Sequence, residues 1–301
     1  MQIATIGRWG VSARVWPWQI FRRRFSRAAT PPYLKAGLFN RFEFTGNLGS
    51  NQSIFNPTNL SLKNKERAAS AKKVKLFWRG RANDNIALVE LLQENGTIKS
   101  DRIAHAMKQL DRGLFAPQGE IAYVDIPLPI GYNATISAPH MHAACLELLE
   151  NHLEPGMHAL DVGSGTGYLT AAFALMVGEQ GYAVGVEHIP ELVQQSIENV
   201  KRSKAAPLLE SGHLSLHVAD GRQGWPEQAP YDAIHVGAAA SSVPQALVDQ
   251  LKTGGRLVIP VGDIYQDLLV IDKQPDGSLQ SHSATSVRYV PLTSRDAQLN
   301  Y

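Results

Sequence analysis

The sequence predicts an α/β fold, a doubly wound and mostly parallel sheet preceded by N-terminal helices, and three observations carry that prediction. At His158–Leu169 (HALDVGSGTGYL) a short apolar run ends in Asp161, then Gly163-Ser164-Gly165-Thr166-Gly167 follows, then apolar periodicity resumes. That order reads as a strand, a tight glycine turn and a helix N-terminus, because glycine permits the sharp turn and the first helical N–H groups stay free. Downstream, strand-like apolar runs alternate with helical periodicity. Two of those runs close on acids, Glu187 and Asp220, at the strand ends where open α/β sheets bind ligands.

The folded body is expected to span 77–301, with its first element starting near Phe77 or Asp84. Ile86, Leu88, Val89, Leu91 and Leu92 form one apolar helical face that stops at Asn95-Gly96, and Ser100 caps a second helix carrying Ile103, Met107 and Leu110. Between Phe115 and Pro139 periodicity disappears, yet the segment is too apolar for a floppy linker and reads as a long ordered loop with a function. Met141–Leu153 is a helix with Leu146, Leu148, Leu149 and Leu153 inward. After the glycine turn come a helix at Leu169–Val177, a strand at Ala183–Val186, a helix at Pro190–Lys201 and a strand at Leu214–Ala219. A strand at Tyr231–Val236, a helix at Pro244–Leu251 and a strand at Gly255–Val261 complete the alternation. Leu268–Asp272 and Val287–Pro291 are further strand candidates on either side of the Asp276-Gly277 turn.

Charge divides the chain more sharply than its net value of +2 shows. Up to Phe42 there are seven arginines, one lysine and no acid, so residues 1–42 read as an organelle-targeting segment for chloroplast or mitochondrion, with a cytoplasmic protein as the alternative. Residues 43–76 read as a linker. Beyond Lys75 fifteen basic residues face twenty-five acids, which argues against nucleic acid as a partner of the folded part. No uncharged stretch approaches the roughly 18 apolar residues of a membrane span, so no membrane partner is expected. The single cysteine, Cys145, excludes an internal disulfide and sits between apolar helix residues as a small core side chain.

A glycine turn alone does not separate nicotinamide-dinucleotide domains from methyltransferases. Asp161, two residues before Gly163, would repel a pyrophosphate and would suit a ligand with a cationic centre, such as S-adenosylmethionine. Gly163 and Gly165 let the backbone approach that ligand, while Glu187, 26 residues after Asp161, can accept both ribose hydroxyls. Asp220 ends the next strand beside the adenine edge. His140 and His142 lack a third ligand at metal-binding spacing, so no metal is expected. Ser137 carries no elbow sequence of a hydrolase nucleophile.

The runs TISAPHMHAACLELL (Thr135–Leu149), LDVGSGTGYLT, EHIPELV, ADGRQGW, YDAIHVGAAA, LKTGGRLVIPVG and VRYVPLT resemble, in order and with natural spacing, protein-L-isoaspartate (D-aspartate) O-methyltransferases. The likeness covers roughly Phe77 to Gln298, and the arginine-rich extension is similar to that of plant forms. The resemblance implies a Rossmann-like S-adenosylmethionine-dependent methyltransferase, acting as a monomer, that methylates the free α-carboxyl of L-isoaspartyl residues in damaged proteins and peptides. It further implies Ser137 as the active-site residue, and Ala134, Thr135, Ile136, Ser137 and His142 as lining of the donor pocket. Thr166 in the glycine turn, Glu187 at the ribose, Ala219 and Asp220 at the adenine, and Thr293 and Gln298 closing over the donor complete the set. Two departures are visible: the family's Gly-Asp-Gly is Ala219-Asp220-Gly221 here, and its ribose acid, often Asp, is Glu187.

The acceptor is expected to be an ionised carboxylate that needs orientation more than a base, with Ser137 donating the orienting hydrogen bond and the Val124–Tyr132 stretch holding the substrate main chain. A nicotinamide-dependent oxidoreductase, a small-molecule O-methyltransferase and a catalytically silent binding protein are the competing readings.

Overall fold

The computed structural model describes residues 82–300; the expected targeting segment, the linker and the start at Phe77 lie outside the described residues. The first helix, α1 (Asn85–Glu94), is capped by Asp84, whose carboxylate accepts from Ala87 N at 2.8 Å. Its inward stripe is Asn85, Leu88, Val89 and Leu92, the spacing of a 3.6-residue period, whereas Ile86 is 46% exposed. Asn85 takes the place expected of Ile86 because its amide donates to Met107 O (2.9 Å) and accepts from Arg112 N (3.2 Å), tying α1 to the end of α2 (Asp101–Gln109). Ser100 caps α2 by accepting from Ile103 N.

The segment expected to be irregular holds a short 3-10 turn (Glu120–Tyr123) and a hairpin of β1 (Leu128–Gly131) and β2 (Ala134–Ile136). Tyr132 and Asn133 form its tip at φ 53° and 56°, the left-handed pair of a two-residue hairpin without the usual glycine. Helix α3 (Pro139–Leu149) then starts with proline in its first turn and ends in a 3-10 turn, earlier than Leu153.

Seven strands follow: β3 (His158–Val162), β4 (Tyr182–Glu187), β5 (Leu214–Val218), β6 (Tyr231–Val236), β7 (Leu251–Val261), β8 (Gln266–Lys273) and β9 (Leu279–Val287). They form one sheet in the order β5-β4-β3-β6-β7-β8-β9. The first five are parallel, and β8 and β9 run antiparallel to their neighbours. Among the intervening helices are α4 (Tyr168–Val177), α5 (Pro190–Lys201), α6 (Ala206–Glu210), α7 (Gln245–Gln250) and the terminal α8 (Arg295–Leu299). Alternate strand residues enter two cores. Ala159 and Ala183 pack with α1 to α5, while Leu160, Val162, Val184 and Val186 pack with Leu247 on the other face. This two-sided burial explains why β3, β4 and β6 read as continuous apolar runs rather than alternating ones.

The last expected strand is displaced. The chain is in the sheet at Leu279–Val287, as an exposed edge strand, so of the expected Val287–Pro291 only Val287 belongs to it and the residues after it start a strap. Ala239 N donates to Val290 O at 2.8 Å and Leu292 N to Ala239 O at 2.7 Å, fastening the strap across the end of β6. Apolar character at Val287–Pro291 thus serves packing over the sheet end.

Candidate active site

The sheet order reverses at β3, whose neighbours are β4 and β6, so a crevice opens at the carboxyl ends of these strands. The glycine turn sits there, held from both sides. Gly163 N and Ser164 N donate to Val186 O of β4 (2.8 and 3.0 Å), and Gly237 N donates to Val162 O (2.7 Å). Gly167 initiates α4 at φ 82°, and a Cβ there would stand 3.0 Å from Ser196 Cβ of α5. Asn199 of α5 holds the turn by donating to Thr166 O at 3.1 Å.

Glu187 closes β4 at 7% exposure. It accepts from Gly165 N (3.2 Å) and Ile189 N (3.1 Å), leaving further acceptor capacity toward the cleft. Burial pushes its carboxyl above the usual range, against those main-chain bonds. The C-terminal segment covers this side. Gln298 Oε1 bonds His188 Nε2 (2.8 Å), its amide donates to Tyr132 O (2.8 Å), and Asn133 Nδ2 donates to Gln298 O (2.8 Å). Between them lies a solvent-open cleft of about 510 Å³, walled by Ile130, Val186, Ala238 and Leu292 with Glu187, Thr293 and Gln298. No lysine or arginine lines it among the described residues.

A second compartment of about 360 Å³ shares Thr135, Gly163, Gly165 and Gly237 with the first. Ile136, Ser137, His142, Asp161, Thr166 and His235 line it, as does Ser164, whose Oγ is buried without a protein partner. His142 stacks on Tyr168, ring centroids 4.9 Å apart, and burial plus the Arg112 charge hold it well below the usual imidazole range, hence neutral. Arg112, 1% exposed, donates to Ser137 O (2.8 Å) and Ala122 O (3.0 Å). Burial lowers its guanidinium to about 10, which leaves it charged at neutral pH.

Ser137 and Thr135 also face outward, onto a groove of about 940 Å³ with Pro127, His140, Arg288 and Tyr289. His140 Nδ1 bonds Asp125 Oδ1 at 2.8 Å, and that contact raises its pKa. Ser137 therefore stands in the wall between the second compartment and the open groove. Among the described residues no three His, Cys, Asp or Glu side chains converge as metal ligands, and no helix is long and apolar enough to cross a membrane.

The model of the protein-L-isoaspartate(D-aspartate) O-methyltransferase family matches residues 83–297, more than half of the chain. The chain belongs to this family. Protein-L-isoaspartate O-methyltransferase 1 of Arabidopsis thaliana is 64% identical over 227 residues, covering 75% of this chain and 99% of the relative. That of Caenorhabditis elegans is 50% identical over 227 residues, again 75% and 99% of the two chains. A solved Plasmodium falciparum chain assigned to the same enzymes, in complex with S-adenosyl-L-homocysteine, superposes with a TM-score of 0.65 at 38% identity, covering 70% of this chain and 99% of that one. The fold is accordingly the Rossmann-like class I methyltransferase fold, with a mixed sheet flanked by helices.

Within this family frame, the structure gathers Ala134, Thr135, Gly163, Gly165, Glu187, Thr293 and Gln298 around the first cleft, and Ile136, Ser137, His142, Asp161 and Thr166 around the second. Two of the expected acids bond other residues of the chain. Asp161, 1% exposed, lines the second compartment and there bonds Thr170 Oγ1 (2.6 Å) and His235 Nδ1 (2.9 Å). Asp220 turns its carboxylate onto Arg222 (2.6 Å at the shortest), which lowers its pKa, and at this point Gly221 forms the cleft wall. Ala219 is not at positive φ, since Tyr132 and Asn133 are the only non-glycine residues there among those described, so alanine fits where the family has glycine. Arg112, His235 and Tyr289 were not singled out from the sequence. The available signal was a cation or imidazole inside an apolar run, LDRGLF and YDAIHV.

Proposed function

We propose that this chain transfers a methyl group from S-adenosylmethionine to the free α-carboxylate of L-isoaspartyl, and also D-aspartyl, residues in damaged proteins and peptides, and that the residues above divide the work. One observation carries the assignment of roles. A cleft with one buried acid, Glu187, shares Thr135 with a second compartment lined by Ser137, and Thr135 and Ser137 both line an open groove on the other side.

Glu187 fits the vicinal hydroxyls of a ribose, and Ile130, Val186 and Leu292 fit a flat apolar base. The bound donor supplies an electrophilic methyl on sulfonium sulfur. The acceptor carboxylate is ionised at neutral pH and already nucleophilic, so the protein's task is alignment and exclusion of water. Ser137 donates to the acceptor carboxylate, and Arg112 fixes the serine by holding its carbonyl. His142, kept neutral, adds no positive charge beside a sulfonium. The methyl ester is more electrophilic than a carboxylate: the neighbouring main-chain amide nitrogen attacks its carbonyl carbon and methanol leaves with the amide proton, and the succinimide so formed, needing no further residue of this chain, starts the return to normal aspartate.

The deciding measurement is transfer of labelled methyl to an isoaspartyl peptide against its normal aspartyl twin. The isoaspartyl peptide should be methylated and the twin should not. Equal labelling of both, or labelling of small carboxylic acids only, rejects the assignment. Ser137→Ala should lower turnover by about tenfold to a hundredfold while S-adenosylhomocysteine affinity stays nearly constant; a trapped methyl- or acyl-serine would reject the orienting role. The proposal extends to residues 1–42 as an address for chloroplast or mitochondrion, supported by seven arginines and one lysine without an acid.

A further inference from the structure

The chain itself carries three steps at which isoaspartate can form, an Asn or Asp followed by glycine: Asn95-Gly96, Asp220-Gly221 and Asp276-Gly277. Glycine has no Cβ, so its main-chain nitrogen is unhindered. That nitrogen bonds to the side-chain Cγ, and the Cγ–N bond of asparagine or the Cγ–O bond of aspartic acid breaks. Ammonia or water leaves with the glycine's amide proton, and water then opens the succinimide at either carbonyl, one of which yields isoaspartate. Two of the steps share one construction. Asn95-Gly96 closes α1 with Gly96 at φ 79°, and Asp276-Gly277 joins β8 to β9 with Gly277 at φ 83°. A side chain is strained at either angle, so both turns require their glycine. Gly96 N donates to Gln93 O (3.0 Å) and Gly277 N to Gln274 O (2.9 Å). The residue after each glycine holds the other reacting group. Asn95 Oδ1 accepts from Thr97 N (2.9 Å) and Thr97 Oγ1 (2.6 Å), and Asp276 Oδ1 accepts from Ser278 N (2.9 Å) and Ser278 Oγ (2.6 Å). At Asp220 the same place is taken by Arg222, whose N and Nε bond Oδ1 (3.0 and 2.9 Å) and whose Nη2 bonds Oδ2 (2.6 Å).

We propose that Thr97 and Ser278 protect the chain from forming isoaspartate in itself: each hydroxyl, with the main-chain N–H beside it, holds the side-chain oxygen two residues back away from attack by the intervening glycine nitrogen. Asn95, Gly96, Asp276 and Gly277 are all exposed, so burial shields neither step. Geometry does so at Asn95. The five-membered ring closes only when the glycine nitrogen eclipses Cβ about the Cα–C bond, and at the Asn95 ψ of −3° it does not. Rotation to that position breaks the bond from Gly96 N to Gln93 O as well as the hold on Oδ1. At Asp276 the hydroxyl acts through charge too. The bonds from Ser278 keep this carboxyl below its usual range, and an ionised carboxylate resists attack because it has no hydroxyl to leave as water. An isoaspartyl residue in either turn would stand on the surface as an acceptor for the enzyme's own reaction.

The test ages the full chain at neutral pH as wild type, Thr97→Val and Ser278→Ala, with Thr97→Ser and Ser278→Thr as variants that keep a hydroxyl. Isoaspartate at each step is read from fragmentation mass spectra of the digested chain. Loss of a hydroxyl should speed its formation by about two- to tenfold at the neighbouring step and leave the other step unchanged. Thr97→Ser and Ser278→Thr should age as the wild type does. Gly167→Ala, which strains the glycine turn and keeps both hydroxyls, separates protection from fold stability and should also age at the wild-type rate. Wild type held unfolded in urea sets the unprotected rate. Ageing of Thr97→Val and Ser278→Ala at the wild-type rate, equal acceleration in Gly167→Ala, no rescue by the hydroxyl-keeping variants, or a folded wild type that ages as fast as the unfolded chain each overturns the proposal. Aged Thr97→Val should then accept labelled methyl from fresh wild type at position 95. Isoaspartate that forms there and takes no label in the unfolded aged chain counts against the functional reading instead, and the ageing rates still decide the protection.

Discussion

Glu187 shows how one side chain sets what the cleft accepts. Its burial raises the carboxyl pKa, while hydroxyl donors from a ribose bind the ionised form. Ligand affinity should therefore fall on acidification, starting at a higher pH than for an ordinary glutamate. Glu187→Gln should weaken S-adenosylhomocysteine by about ten- to a hundredfold and flatten that pH profile, read by calorimetry; a profile that stays steep in the variant would place the titrating group elsewhere. His235 works in the opposite sense. Its pKa rises from 6.5 to about 10 in the fold, so the folded state holds the proton more tightly. The stabilisation is complete below the unfolded value and is lost as pH climbs from 6.5 through about 10. His235→Gln should remove that alkaline decline from melting curves of the ligand-free protein, and an unchanged decline would reject the ion pair with Asp161 as its source. Neither behaviour was legible at the residue level. Glu187 was visible as an acid closing a strand, but the company that Asp161 keeps depends on which strand lies beside β3.

At the scale of elements, the glycine turn and the two helices around it form one device. Gly167 begins α4 at φ 82°, where a side chain is strained, and also meets Ser196 of α5 at the distance of a tight contact. Gly167→Ala should cost about 1–3 kcal/mol, and at about 2–4 °C per kcal/mol the melting temperature should drop by several degrees. A melting temperature equal to the wild type would show that α5 yields and that the glycine serves ligand approach alone. The hairpin β1–β2 escaped the sequence because its tip is Tyr132-Asn133, without glycine, and its strands have four and three residues. Its inner edge is occupied by its own pairing, so main-chain capture of a substrate by Val124–Tyr132 would use the outer edge of β1.

Across the whole molecule, charge and topology separate two tasks. The chain beyond Lys75 is acidic by ten charges, twenty-five acids against fifteen bases, while the first 42 residues hold eight bases and no acid. Fusing residues 1–42 ahead of a fluorescent protein should direct it to chloroplasts or mitochondria, followed by microscopy. Diffuse cytosolic fluorescence would reject the address and favour the cytoplasmic alternative. Within the body, the reversal of strand order at β3 brings together residues far apart in sequence. Glu187, Gly237 and Gln298 border one cleft, and Ser137, Asp161 and His235 another that shares its wall.

What the sequence determined alone was local or repetitive: the strand–glycine–helix at His158–Leu169, the helix at Pro190–Lys201, the strand at Tyr231–Val236 and the acid closing each of two strands. These follow from backbone preferences and from the two-sided burial of parallel strands, which each segment records in its own residues. The motif around Ser137 also stood out, by resemblance. Tertiary structure decided the rest. Ile86 faces out because Asn85 has distant partners at Met107 and Arg112, and the C-terminal edge strand is exposed among the described residues, which suits its polar side chains. Asp161 bonds His235 because that residue lies on the adjacent strand, and Ser137 and Tyr289 line one groove because the strap crosses the sheet end. In each case the deciding partner lies far along the chain, and pairwise forces between such residues leave no period or spacing in the sequence to be read.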